Sequence, residues 1–237
     1  MSEYTFKDID LLNQQVEGKS TVEIIQWANE TFDGQVTLAS SLGQEDQVLT
    51  DMIGSMMDVF TLDTGRLFPE SYNLIADTEK KYGIKVKLYF PDAVEVEDMV
   101  SKKGINLFYE SIENRKQCCK IRKLNPLRRA LAPYKAWICG LRKEQSVTRE
   151  DVKVVEWDGL HQMFKINPLA EWSTEEMLNY INEREIPYNP LHDEGFISIG
   201  CASCTRAVKP GQHLRDGRWW WESPEHKECG LHSKSKV

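Results

Sequence analysis

The 237-residue chain has no stretch approaching the ~20 consecutive apolar residues of a membrane span. Its start, Met1 to Asp8, lacks the apolar run of a secretory leader. Membrane insertion is therefore not expected, and the expected location is cytoplasmic. The chain also lacks an excess of positive charge. Lys and Arg number 30 against 37 Asp and Glu, a net −7, whereas nucleic-acid and anionic membrane surfaces demand net positive partners. Local basic clusters are left to serve small anions. No repeat, low-complexity tract or Pro/Gly/Ser linker divides the chain, and 41% apolar with 28% charged residues is ordinary for one globular domain. A reducing compartment disfavours structural disulfides, so the six cysteines point to metal or redox chemistry.

Four of those cysteines form two pairs. Cys201 and Cys204 make a Cys-x-x-Cys unit, two ligands short of a complete metal centre, and the adjacent Cys118 and Cys119 are the candidates to complete it. Neighbouring side chains leave a helix ~100° apart, which is awkward for a single tetrahedral zinc. Thiolates that each take a different iron of a 4Fe–4S cube avoid this, so ligand geometry favours the iron–sulfur reading. Four unrelated buried thiols would be expected in apolar runs, not among Lys, Arg and Ser. Cys139 ends an apolar stretch and reads as a buried strand thiol. Cys229 belongs to neither pair. Beside His226, Lys227 and His232 it is open to three readings: an incidental tail thiol, a regulatory thiol or a nucleophile. Arg206, Arg215 and Arg218 form either an anion clamp or a solvated basic face. Trp219 to Trp221 are expected to pack the C-terminal segment onto the body.

The rest of the chain alternates strands with helices. A capping box at Ser20 and Glu23 opens a helix that ends by Gly34. Residues 35–39 read as a strand running into Ser40-Ser41-Leu42-Gly43-Gln44-Glu45-Asp46 and a further helix, the layout of a phosphate loop, with a tight strand–helix turn as the alternative. Residues 58–62 form a second strand ending at Asp63-Thr64-Gly65-Arg66, and Pro69 starts a helix that Gly83 stops. A third strand covers 84–90, a helix 94–103, and a basic helix carries Cys118 and Cys119 until Asn125-Pro126 ends it and starts another. Residues 134–139 read as a strand followed by a polar loop with Arg142 and Gln145, and 152–157 and 163–166 as a hairpin around a type I′ turn at Asp158-Gly159. A second capping box opens at Ser173. The pattern predicts an α/β fold with a mostly parallel sheet, helices on both faces, and polar loops gathered at the carboxyl ends of the strands.

Cys118-Cys119, Cys201-x-x-Cys204, Leu62 to Arg66, Gly140 to Ser146 and the terminal Glu228-Cys229-Gly230-Leu231-His232 together resemble the assimilatory adenylyl-sulfate (APS) reductases of the APS/PAPS reductase family, over about residues 35–232. The resemblance implies an adenine nucleotide α-hydrolase-like fold over 1–237, with a nucleotide-binding core at about 20–200 and a cluster-binding, catalytic C-terminal arm at about 201–237. It implies thioredoxin-dependent reduction of APS to sulfite and AMP through a sulfite-bearing Cys229, in cysteine biosynthesis, with His232 beside it. It places one 4Fe–4S cluster per chain on Cys118, Cys119, Cys201 and Cys204, and substrate contacts at Ser40, Ser41, Gly43, Asp63, Gly65, Arg66, Lys123, Arg142, Gln145, Arg215 and Arg218. Partners are adenylyl sulfate and thioredoxin or a similar thiol donor; a homo-oligomer is left open. The Ser40–Asp46 turn departs from the loop of ATP pyrophosphatases, which argues against ATP cleavage. PAPS or dual reduction, and a non-catalytic iron–sulfur nucleotide sensor, remain the alternatives. Gly230 and the nearby terminus suggest an arm that moves between substrate and thiol donor.

Overall fold

The computed structural model describes residues 4–145, 149–209, 211 and 216–223. Arg215, Cys229 and His232, and with them the expected arm movement, lie outside the described residues. Within these, one sheet holds β1 (Val36–Ser40), β2 (Asp58–Leu62), β3 (Val86–Tyr89), β4 (Ala136–Ile138), β5 (Val155–Asp158) and β6 (Met163–Ile166), in the order β3-β2-β1-β4-β6-β5. Every pairing is parallel except the β5–β6 hairpin. The helices are α1 (Ile9–Val16), α2 (Thr21–Thr31), α3 (Gln44–Ile53), α4 (Pro69–Tyr82), α5 (Ala93–Lys103), α6 (Ile112–Cys119), α7 (Asn125–Leu131) and α8 (Thr174–Glu183).

Strand side chains alternate between faces, so each strand feeds two cores. Val36, Leu38, Val59, Ala136 and Ile138 pack with Ile25 of α2, Leu49 of α3 and Met177 of α8. Phe60, Trp137 and Cys139 point the other way, onto Leu127 and Leu131 of α7. Helices therefore cover both faces, as the buried strands require. Both capping boxes form, with Ser20 accepting from the Glu23 backbone and Ser173 from that of Glu176. Pro69 opens α4 and Gly83, at φ 64°, caps it. Two features depart from the expectations. Helix α1, ahead of the expected core start near residue 20, buries Leu12 and Val16, and its Asn13 side chain pairs with both the N–H and the C=O of Val155. That amide substitutes for a neighbouring strand and closes the β5 edge. The hairpin is present, but residues 159–162 connect it, with Asp158 accepting from the Leu160 and His161 N–H groups and Gln162 at φ 55°. Gly159 has no positive φ, so the two-residue type I′ turn is replaced by an Asx-type turn.

The chain steps outward from β1 to β3, then returns to lay β4 on the other side of β1. Strand order thus reverses between β1 and β4, and the crevice beyond their carboxyl ends is where such folds bind ligands. A third, smaller apolar cluster joins Met99, Leu107, Phe108, Cys118, Cys201, Cys204 and Trp219. Three of the four paired cysteines therefore share a core of their own.

Candidate functional site

Two cavities share a wall at the carboxyl ends of the strands. The first, about 110 Å³, lies against β1, β2 and β4 and is lined by Ser40, Ser41, Thr61, Trp137, Lys123 and Cys201, among others. The second, about 10 Å³, is lined by all four paired cysteines together with Arg66, Arg115, Arg122, Lys123, Arg218 and Trp219. Lys123 and Cys201 belong to both. A larger groove of about 1130 Å³ opens elsewhere, between α1, α2 and α8. Width alone does not make it the chemical site, since none of the cysteines and none of the Ser40–Asp46 or Asp63–Arg66 loop residues line it.

Local chemistry builds the first cavity. The Ser40 hydroxyl accepts from the Leu42 N–H, and Leu42 sits at φ 64°, a conformation that costs an L-residue about 1 kcal/mol. Gly43, the N-cap of α3, has φ −72°, so its value is the absence of a side chain, not backbone freedom. Asp46 locks the turn: its carboxylate accepts from the Ser41 N–H and hydroxyl at 2.6 and 2.7 Å and from the Gly140 N–H at 3.2 Å. A Cβ on Gly140 would lie 2.8 Å from that carboxylate and 2.5 Å from the Glu45 Cβ. The loops after β1 and β4 are thereby pinned to each other.

Burial pushes the Asp46 carboxyl up to about 6, against the Ser41 and Gly140 hydrogen bonds that lower it and with Glu45 adding to the rise. The folded state holds this proton more tightly than the unfolded chain. The contribution to stability is full below the unfolded carboxyl range near ~3.9 and is lost as pH rises through about 6. Denaturant unfolding should show wild type losing up to about 1.4 kcal/mol per pH unit across this window relative to Asp46→Asn. A pH-independent difference between the two would contradict the assignment.

Beyond β2, Asp63 is buried and accepts from the Gly65 N–H at 2.7 Å and from the Tyr72 hydroxyl at 3.1 Å. Gly65 is at φ 70°, and its position lets the Arg122 guanidinium pass close by and donate to the Thr64 carbonyl at 2.7 Å. Arg66 stacks on Phe108 and lines the thiol cavity. Arg142 and Gln145 take a different place. Arg142 is 4% exposed, ion-paired to Glu45 at 2.9 Å, and donates to the Trp172 carbonyl and Thr174 hydroxyl. Gln145 closes its own loop onto Arg142 N and Gly140 O. Both act as struts behind the crevice, and neither lines the strand-end cavity.

The thiol cavity is assembled from distant segments. Ser111 caps α6 by accepting from the Asn114 N–H, and Cys118 and Cys119 end that helix. The helix does not break at Asn125-Pro126, as the sequence suggested. Residues Lys120–Leu124 form a π-turn, with Asn125 N–H bonded to the Lys120 carbonyl, and run straight into α7. Pro126 has no N–H for the Arg122 carbonyl, and widening the helix absorbs the misfit while turning Lys123 to the shared wall. Cys201 and Cys204 flank a 3₁₀ turn tied to the Asp63–Arg66 loop by Ala202 N–H to Arg66 O (2.8 Å) and by a 3.3 Å contact between the Thr64 hydroxyl and Cys201 Sγ. Arg218 lies flat on Gly200, where a Cβ would fall 2.3 Å from its Nη2.

The cavity's electrostatics are uneven. Burial and the neighbouring thiols push Cys118 and Cys204 up to about 11. Burial opposes ionisation of Cys201 too, but Lys123, the Thr64 hydroxyl, Arg218 and Arg122 outweigh it and leave that thiol below its ordinary value. Buried N–H groups of Arg122 (Nε), Arg218 (Nε) and Trp219 (Nε1), all on residues lining this cavity, have no hydrogen-bond partner among the described residues. Soft thiols ringed by unmatched donors fit a group that is itself sulfur-rich and anionic. Among the described residues no three Cys, His, Asp or Glu side chains converge on a single-ion site. Four thiolates on one tetrahedral ion with ~2.3 Å bonds would lie ~3.8 Å apart, whereas on a cube each binds its own iron and they stand wider.

A nucleotide-type α/β crevice fused to a four-thiol cavity defines a narrow class. The family model of the phosphoadenosine phosphosulfate reductase domain matches residues 35–207. An adenosine 5'-phosphosulfate reductase from Allochromatium vinosum is 47% identical over 91% of this chain and 85% of its own length. The chloroplastic 5'-adenylylsulfate reductase 3 of Arabidopsis thaliana is 45% identical over 95% of this chain, which spans 51% of that relative. The crystal structure of phosphoadenylyl-sulfate reductase from Candida auris superposes with a TM-score of 0.74 at 30% identity, covering 87% of this chain and 99% of that one. Yeast FAD synthetase, at 13% identity and a TM-score of 0.55, shares the fold alone. This chain belongs to the phosphoadenosine phosphosulfate reductase domain family.

Proposed function

We propose that the protein reduces adenylyl sulfate to sulfite and AMP in sulfate assimilation, with Cys229 as nucleophile and thioredoxin or a similar dithiol as reductant. The observation that carries this reading is the shared wall: Lys123 and Cys201 stand between the strand-end crevice and the thiol cavity. The crevice takes the adenosine end, as nucleotide-binding sheets do at a switch point. Lys123, Arg66 and Arg218 hold positive charge where the sulfate end would lie, with Arg215 adjacent in sequence to that group. The Cys229 thiolate then attacks sulfur; the S–O bond to phosphate breaks and AMP leaves with the electron pair. A donor thiolate attacks Cys229 Sγ, sulfite departs, and the second donor thiol closes the disulfide, so that two electrons reach sulfur.

The four thiols suit a 4Fe–4S cluster by donor chemistry and by the unmatched N–H groups around them. Bound there, a cluster supplies a link between the cysteine pairs and a fixed charge beside the crevice. Cys118, Cys119, Cys201 and Cys204 would hold it, and replacing any one by Ser should reduce iron content by more than half together with activity. Full iron and full rate in Cys118→Ser and Cys201→Ser would end the four-cysteine assignment.

The test of function is sulfite release from adenylyl sulfate and from its 3'-phosphorylated form, each with thioredoxin. The identity to adenylyl-sulfate reductases supports a preference for the first. A preference for the phosphorylated nucleotide would move the protein to the sister activity, and nucleotide binding with no turnover on either would favour a sensor.

A further inference from the structure

Helix α6 carries a buried cation one turn ahead of the first cysteine pair. Arg115 is 1% exposed, and it grips the Glu222 carboxylate through two hydrogen bonds, Nε to Oε1 at 2.9 Å and Nη2 to Oε2 at 2.7 Å. Glu222 is itself 3% exposed. The same guanidinium lines the thiol cavity together with Cys119, its neighbour at i+4 and one of the groups that act on its charge, and lies over the Trp219 ring at 4.8 Å. Arg218 packs on Trp219 as well, at 4.6 Å. Backbone bonds from Trp219 N–H to Cys204 O and from Glu222 N–H to Trp219 O tie this segment to the second cysteine pair. One carboxylate thus reaches, through one guanidinium, a thiol more than a hundred residues earlier, while its own backbone is fastened beside the other pair.

We propose that Arg115, held by Glu222, is a positioning residue for Cys119: docking of residues 216–223 over the cavity sets the guanidinium that orients the thiol, so the four-thiol centre is completed by the C-terminal segment. This rests on the reading that the four cysteines hold one centre. The physical reason is that a metal-ligating group keeps its orientation through its outer hydrogen-bond partner, and losing that partner typically costs about 10- to 100-fold in metal affinity. A buried ion pair supplies little net stability over a well-packed apolar pair, so a purely structural role would be replaceable.

That contrast supplies the experiment. Purified full-length wild type, Glu222→Gln, Arg115→Lys and the double variant Arg115→Met with Glu222→Met are compared for iron loss to a chelator and, in iron-free protein, for alkylation of Cys119 relative to Cys118 by iodoacetamide. Melting temperature is followed in parallel. Glu222→Gln is expected to lose iron about tenfold faster and to expose Cys119, not Cys118, to alkylation. The double variant is expected to recover the melting temperature but neither iron retention nor Cys119 protection. Recovery of all three in the double variant, or unchanged iron loss and alkylation throughout, overturns the proposal. If wild type purifies without iron, the cluster reading fails, and the alkylation ratio still decides the role of Arg115.

Discussion

Incubated with adenylyl sulfate and no thiol, the protein is expected to gain about 80 Da on the peptide containing Cys229, the mass of one SO₃ group on an activated thiolate. Added thioredoxin should then remove the adduct and release sulfite. Cys229→Ser should lower sulfite release by at least about 10⁴-fold, because no other group takes over a lost nucleophile. The competing thiol within the described core is Cys139, and its environment argues against it. Burial pushes that thiol up to about 12, with Lys165 only partly opposing the rise, and its Sγ bonds the Asn167 side chain at 3.1 Å. Cys118, Cys119, Cys201 and Cys204 are buried as well and face each other's cavity. An adduct on Cys139, or sulfite release by Cys229→Ser at the wild-type rate, would overturn the assignment of the nucleophile. Intact-mass and peptide mass spectrometry before and after thioredoxin read both outcomes.

Local signals made much of this architecture legible. Alternation of β-branched and apolar residues marked β1 and β2, the Ser20 and Ser173 boxes marked two helix starts, and Pro69 with Gly83 bracketed α4. The cysteine spacing marked the thiol cavity, since adjacent thiols beside basic residues have few other uses. What stayed hidden depends on partners far away in sequence. The family resemblance placed Arg142 among the substrate contacts; its ion pair with Glu45 and its bond to the Trp172 carbonyl come from segments that no local pattern links to it. Arg115 and Glu222 carry no motif, and a lone Arg on a basic helix gives no hint that it is buried. The π-turn at Lys120–Leu124 had a signal, Pro126, which reads as a break unless the flanking turns are both held by packing. Here they are, by Cys118 in one apolar cluster and Leu127 in another.

Lys123→Ala should lower kcat/KM for adenylyl sulfate by about 100- to 1,000-fold, the range for removing one preorganised donor at a site of developing charge. The expectation comes from position. Lys123 is half-buried on the π-turn and faces both the crevice and the thiol cavity. It is also the largest influence lowering the Cys201 thiol against its burial. Its ammonium therefore acts on both sides of the wall: toward the thiol centre and toward the sulfate that would lie beside it. Stability should change by no more than about 1 kcal/mol, because a half-exposed cation contributes little to folding. Lys123→Arg should recover only part of the rate, since a planar guanidinium is longer and directs its charge differently from a compact ammonium. Steady-state kinetics with iron content measured on the same preparations separate the effects. A rate loss that tracks iron loss would place Lys123 with the thiol centre alone, whereas full iron with a 100-fold slower reaction places its charge on the substrate.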